Sequence, residues 1–91
     1  MLRNATFSKT SPDWSCDISR NDSFVGRLSV WTSENVQHLR IRNGGKTIRE
    51  AHTLPGQFLN KDEIHTWVHS AAPFTVEYSN TELERINSKL A

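Results

Sequence analysis

The feature that most constrains the fold is Asn43-Gly44-Gly45, which separates two segments in which apolar and polar residues alternate. Asn-Gly and Gly-Gly pairs are strong hairpin signals, because both central residues of a type I′ turn need positive φ. A turn at the first pair places Leu39 opposite Ile48, and a turn at the second places Ile41 opposite Ile48. Both registers keep the apolar residues on one face, since side chains alternate at period two. The sequence therefore predicts an antiparallel hairpin with one buried face.

The same alternation extends upstream of this hairpin. A turn centred on Asn21 would place Ile18 beside Phe24, and a four-residue loop at 32–35 would place Leu28 beside Leu39. Together these segments predict a four-stranded antiparallel meander with one buried face. The residues predicted on that face are Trp14, Cys16, Ile18, Phe24, Leu28, Val30, Leu39, Ile41 and Ile48.

The second half of the chain carries helix signals. Asn60 and Glu63 have the spacing of a capping box, and the following apolar stripe predicts a helix over about 61–72 that Pro73 ends. Alternation predicts a short strand over about 74–78. Thr81 and Glu84 form a second capping candidate, for a helix over about 81–90.

The predicted fold class is α+β, with a meander of about four strands whose buried face is covered by the two C-terminal helices. A short strand lies between those helices. A chain of 91 residues allows one domain, so we expect a single domain over 1–91 with a strand-rich part over 5–52.

Cysteine content and hydropathy indicate the compartment. Cys16 is the only cysteine, so no intramolecular disulfide can form, whereas a small secreted domain usually carries several. The first residues lack the apolar segment of a signal peptide, and no apolar run approaches the length of a membrane helix. We therefore expect a cytoplasmic protein that does not bind membranes.

The face opposite the predicted core is the most informative part of the sequence. The formal net charge is only +1, yet residues 1–52 hold eight Lys and Arg against five Asp and Glu, and residues 53–91 hold three against five. The predicted registers collect much of the basic charge on the exposed side of the sheet. The residues expected there are Arg27, Ser29, Trp31, His38, Arg40, Arg42, Thr47 and Arg49.

Three interpretations of this face remain open. Arginine pairs bidentately with carboxylates and phosphates, so the face could dock on an acidic protein surface or a nucleoprotein complex, or bind single-stranded RNA or DNA. Alternatively, these are solvated residues on the wet side of an antiparallel sheet, partly paired with Glu34, Glu50 and Glu77. Nucleic acid is the weaker interpretation, because the chain has no aromatic pair of the RNP kind and a modest pI of about 8.0.

The leading functional hypothesis is a small non-enzymatic protein that binds a larger assembly and regulates or inhibits it. Short proteins of this type are common in phages and mobile elements, and only the chain length favours that class here. Trp31 would be the aromatic anchor of the interface, and arginines would supply charge-assisted contacts. The predicted partner-binding residues are Arg27, Trp31, His38, Arg40, Arg42 and Arg49.

Several residues suggest a cofactor or catalysis, although we expect neither a cofactor nor a metal. His65 and His69 are one helical turn apart, which supplies half of a zinc site, and a third ligand would have to come from His52 or His38. Cys16 alternates with core residues and is expected to act as a small hydrophobe rather than a nucleophile.

A small hydrolase or nuclease is the third hypothesis. Small ribonucleases can work with only His, Arg and Glu, which makes His38, His52, Arg40 and Glu50 acid–base candidates. Their spacing alone is not diagnostic.

Overall fold

The computed structural model describes residues 13–90, which form one five-stranded antiparallel sheet and two helices. The strands follow one another in the sheet in chain order, so the predicted meander and α+β class are confirmed, with a fifth strand beside the fourth. Residues 5–12 of the predicted strand-rich part lie outside the described residues. The elements are β1 (Trp14–Arg20), β2 (Ser23–Ser33), β3 (Val36–Asn43), β4 (Lys46–Thr53), α1 (Lys61–His69), β5 (Thr75–Glu77) and α2 (Asn80–Leu90).

Two-residue turns join the first four strands. Ser33 pairs with Val36, so the predicted four-residue loop is a turn made by Glu34 and Asn35, which both have positive φ. Val30 therefore lies opposite Leu39, two residues away from the predicted partner Leu28. The apolar residues remain on one face, because a shift of two residues preserves the alternation.

A β-bulge in β4 reverses one prediction. The turn lies at Gly44-Gly45, but Arg42 pairs with Thr47 while Ile41 pairs with Arg49. The extra residue is Ile48, which is exposed rather than buried. Because a bulge shifts the alternation by one residue, Arg49 points to the core side of the sheet. The predicted positions of Ile48 and Arg49 were therefore wrong.

A second bulge lies in β2. Ile18 pairs with Gly26 and Ser19 with Phe24, which leaves Val25 as the extra residue. Phe24 is 54% exposed, so its predicted burial was wrong. A Cβ at Gly26 would lie 2.9 Å from both the Ile41 Cγ2 and the Arg42 carbonyl oxygen, so this position has no room for a side chain.

Helix α1 covers the core face of the sheet. The predicted capping box is confirmed, since the Glu63 amide donates to the Asn60 Oδ1 at 2.8 Å and the Asn60 amide donates to the Glu63 Oε1 at 3.0 Å. Its Ile64 and Trp67 are buried against the sheet, and the helix ends at His69, three residues before the predicted end. The buried core residues are Leu28, Val30, Leu39, Ile41, Ala51, Leu59, Ile64, Trp67 and Ala72. Neither helix has the length and hydropathy needed to span a membrane.

Helix α2 lies along β4, and all of its residues remain at least partly exposed, whereas α1 buries Ile64 and Trp67 against the core face. Asn87 donates to the Thr47 carbonyl and accepts from the Thr47 amide, both at the outer edge of β4. The N-terminal cap is Ser79, whose Oγ accepts from the Glu82 amide at 3.2 Å. The predicted Thr81 cap was therefore two residues late.

Candidate binding face

The sheet face opposite α1 carries three parallel rows of polar and aromatic residues, which we call the arginine face. Strand pairing aligns Trp31, His38 and His52 in the first row, Ser29, Arg40 and Glu50 in the second, and Arg27, Arg42 and Thr47 in the third. Five of the six predicted partner-binding residues lie on this face: Arg27, Trp31, His38, Arg40 and Arg42. The sixth, Arg49, does not.

The first row is a chain of ring contacts. The Trp31 and His38 rings stack with centroids 5.1 Å apart and planes 10° apart. His52 follows at 6.3 Å from His38, and the Tyr78 ring meets His52 edge-on at 6.0 Å. The guanidinium of Arg40 lies 4.9 Å from the Trp31 ring centroid, which is a cation–π distance. These contacts hold the half-buried Trp31 ring in one orientation.

The second row contains a carboxylate buried in the face. The Arg40 Nε donates to the Glu50 Oε1 at 2.7 Å, and its second nitrogen reaches the Oε2 at 3.4 Å. The Glu50 side chain is only 6% exposed and that of Arg40 is 27% exposed. The Arg40 charge is therefore directed inward, where it neutralises Glu50.

Within the described residues, the third row contains one arginine in an ion pair and one without a carboxylate partner. Arg27 donates to Asp17 and to the Ser15 hydroxyl, both at 2.8 Å, on the exposed surface. Arg42, its neighbour across the strands, makes no salt bridge within residues 13–90, and its buried Nε has no hydrogen-bond partner there. Among residues 13–90, Arg42 is thus the arginine of this face that has no carboxylate partner.

Arg49 has a structural role on the other side of the sheet. Its guanidinium lies 4.4 Å from the Trp67 ring centroid, pairs with Glu77 and donates to the Trp67 carbonyl at the end of α1. Glu77 also accepts from the Trp67 Nε1 at 2.9 Å. The β4 bulge places Arg49 in this cluster, which ties α1 to β5.

Burial shifts the pKa values of two residues at the arginine face, His38 and Tyr78. Desolvation lowers the pKa of His38 from its usual 6.5, and the nearby His52 lowers it further, while Glu50 opposes both effects. His38 is therefore predominantly neutral at pH 7. Desolvation also raises the pKa of Tyr78 above 10.0, with help from the Glu50 and Glu82 carboxylates.

Tyr78 contacts His52 of the arginine face, and it was not among the residues predicted for this face. Its alternation with Phe74 and Val76 indicated a strand, but nothing in the sequence indicated that β5 would pair with β4. That pairing places Tyr78 beside His52, and its amide donates to the Glu50 carbonyl at 3.0 Å.

The remaining candidates lie elsewhere. The His65 and His69 rings meet edge to face at 4.7 Å on α1, and residues 13–90 hold no cluster of three metal-binding side chains. Cys16 lies on the core side of β1 but is exposed, because α1 leaves a groove there that Trp14, Ile18, Leu28 and Val68 help to line. By contrast, the four acid–base candidates His38, His52, Arg40 and Glu50 all meet on the arginine face.

Within the part of the chain that the structure describes, the arginine face carries the Trp31 ring, which contacts His38 and Arg40, and one guanidinium without a carboxylate partner, that of Arg42. Such a surface suits recognition of another macromolecule better than enclosure of a small ligand, which needs a concave site. Searches against models of protein families, curated proteins and solved structures found no significant match to this chain.

Proposed function

We propose that this chain is a non-enzymatic binding protein that docks its arginine face on an acidic surface of a larger protein or nucleoprotein assembly and thereby regulates or inhibits it. The observation that carries the proposal is the fixed Trp31 ring, stacked on His38 and covered by Arg40. Rigid aromatic residues dominate many interfaces, because they bury much area and lose little conformational entropy.

The charge distribution favours a protein partner over nucleic acid. Two arginines of the face are already neutralised, Arg27 by Asp17 and Arg40 by Glu50. Arg42 remains to pair with a carboxylate of the partner. Binding to a phosphate backbone instead depends on several free cations, each of which displaces counterions. A face that, over residues 13–90, has one guanidinium without a carboxylate partner is better matched to a local acidic site than to a continuous chain of phosphates.

Affinity capture from a nuclease-treated lysate tests this proposal. The wild-type chain should retain a protein that Trp31→Ala and Arg42→Glu each lose, while Lys61→Glu retains it. Lys61→Glu makes the same charge change on α1, at the opposite face of the sheet. Arg40 is left unchanged, because a second carboxylate beside buried Glu50 would destabilise the fold. Retention by all variants would refute the proposal, and capture that disappears with nuclease would assign the face to nucleic acid.

A second candidate is acid–base cleavage of RNA, because the arginine face brings two histidines together beside Arg40 and Glu50. Neutral His38 has a lone pair that can accept a proton. The Nδ1 of His52 lies 2.9 Å from the Thr53 carbonyl oxygen, so in the neutral ring it is the donor and Nε2 is the acceptor. Such groups could deprotonate a 2′-hydroxyl and protonate a leaving oxygen.

RNA cleavage by purified protein tests this second candidate. His38→Ala and His52→Ala should each lower the cleavage rate about 100-fold or more, the usual contribution of a general acid or base. His65→Ala serves as the control, since this residue lies on α1. Equal rates in all four proteins, or no cleavage by the wild type, would eliminate this candidate.

A further inference from the structure

The outer edge of β1 presents backbone groups that no other strand among residues 13–90 pairs with. In an antiparallel sheet, alternate residues direct their N–H and C=O groups to opposite neighbours. Ser33 and Val36 close a two-residue turn as a hydrogen-bonded pair, so the odd-numbered residues Arg27 to Ser33 of β2 bond to β3. The even-numbered residues of β2 bond to β1: Leu28 and Gly26 pair with Cys16 and Ile18, and the Val30 carbonyl accepts from the Asp13 amide at 2.6 Å. Ser15, Asp17 and Ser19 therefore direct their backbone groups away from the sheet.

The outer side of β4, before the residues that pair with β5, follows the same alternation, but its backbone groups have partners. The same alternation directs the backbone groups of Thr47 and Glu50 outward from β4. Both are occupied, since Thr47 bonds to the Asn87 side chain and the Glu50 carbonyl accepts from the Tyr78 amide. Within residues 13–90, no strand or helix pairs with the outer edge of β1. Exposed edges of this kind are templates for pairing with another strand.

We propose that a second copy of this chain pairs with this edge, β1 against β1, antiparallel about a twofold axis that passes between the two Cys16 residues. Ser15 of each copy would then lie opposite Asp17 of the other, and each such pair would exchange both N–H···O bonds. Trp14 of each copy would lie opposite Ile18 of the other, on the core side. The interface is self-complementary, as a twofold interface must be.

The side chains select this register over its neighbour. Centring the pair on Asp17 would place two carboxylates opposite each other and would oppose Trp14 to Arg20. Centring it on Cys16 joins apolar residues to apolar ones along the groove that α1 leaves open. It also places each Asp17, already neutralised by Arg27, beside a hydroxyl. Like charges are thus kept apart.

The dimer would extend the five-stranded sheet across the twofold axis, with both arginine faces on the same side. This arrangement is independent of the proposed function, because it uses β1 and leaves the rows of β2, β3 and β4 uncovered. A partner with repeated acidic sites would be bound at two places at once.

Cross-linking tests the register. The Cys16 pair would be a non-hydrogen-bonded pair, whose Cα atoms lie about 4.5 Å apart, within the range of a disulfide. Diamide takes up the two protons and two electrons that two thiols release, so it should convert the full-length protein to a disulfide-linked dimer. We expect rapid conversion at low protein concentration, and none in denaturant at the same concentration. Equal rates in both conditions would overturn the register.

Oligomeric state tests the interface itself. Light scattering across a concentration series should give twice the monomer mass of 10.4 kDa for the wild type and for Cys16→Ser. Cys16→Lys, which opposes two cations across the axis, should give the monomer mass with an unchanged circular dichroism spectrum. Phe24→Lys is the matched control, an exposed position of β2 away from the edge, and should remain dimeric. A monomeric wild type, or a dimeric Cys16→Lys, would overturn the proposal.

Discussion

Arg40→Met is the substitution that most sharply tests the interactions within the arginine face. Methionine preserves most of the aliphatic stem and removes the guanidinium. Glu50 then loses the partner of both its carboxylate oxygens in a position where its side chain is 6% exposed. Trp31 also loses the cation above its ring.

The expected cost follows from burial. Removing one partner of a fully buried ion pair costs about 3–5 kcal/mol, because the other charge is left without compensation. Arg40 is itself 27% exposed, so water can partly solvate the uncovered carboxylate. Hydrogen bonds to charged groups contribute about 1.5–3 kcal/mol. We therefore expect Arg40→Met to lower the free energy of unfolding by about 2–3 kcal/mol.

Urea unfolding followed by tryptophan fluorescence measures this loss. The matched control is Arg27→Met, which removes the same group from the same face, where Arg27 and Asp17 are 57% and 60% exposed. Exposed pairs contribute at most about 1 kcal/mol, so the control should lose far less stability. Equal losses in the two variants would show that burial does not make the Arg40–Glu50 pair more stabilising than the exposed Arg27–Asp17 pair.

Three further predictions concern titration and packing. Because the pKa of His38 in the folded protein is below 6.5, the unfolded chain takes up this proton first, and the free energy of unfolding falls as the pH drops through 6.5. The urea midpoint of His38→Gln should therefore fall less than that of the wild type between about pH 7.5 and 5.5, and an equal fall would contradict the lowered pKa. Tyr78 is the only tyrosine in the sequence, so titration followed by absorbance measures its pKa, which should lie above 10.0. This pKa should be lower in Glu50→Gln, and an unchanged pKa in that variant would exclude a contribution from the Glu50 carboxylate. Gly26→Ala should destabilise the fold by about 1–3 kcal/mol, because the new Cβ would meet Ile41, whereas Gly45→Ala should not, because no atom of residues 13–90 lies near that position. Equal thermal midpoints for the two variants would contradict the close packing of Ile41 against Gly26.

The order of the strands and helices could be predicted from the sequence, because each strand or helix is specified by local signals. The alternation around Leu28, Val30 and Leu39 specifies a sheet face, and the Asn60–Glu63 capping box specifies the start of a helix. Both signals act over a few residues, so they can be recognised without knowledge of the rest of the fold. The loop at 32–35 is two residues shorter than predicted, but a shift of two residues keeps each side chain on its predicted face, because side chains alternate with period two.

The errors came from effects that are not local. A bulge inserts one residue and reverses the side chains beyond it, so Ile48 is the exposed extra residue and Arg49 lies on the core side. Glu34 and Asn35 adopt positive φ although neither is glycine, which made the turn shorter than its composition indicated. Two of the glutamates expected to pair with arginines do so, Glu50 with Arg40 and Glu77 with Arg49. Which arginine has no carboxylate partner could not be predicted, because it depends on how the strands align in the folded sheet.

We propose that the arginine face binds a protein through Trp31 and Arg42. The most direct measurement is the affinity of the captured partner for Arg42→Glu compared with Lys61→Glu, by calorimetry at one salt concentration. We expect Arg42→Glu to lower the affinity at least tenfold, about 1.4 kcal/mol, and Lys61→Glu to change it by less than twofold. Equal affinities for these two variants would contradict it.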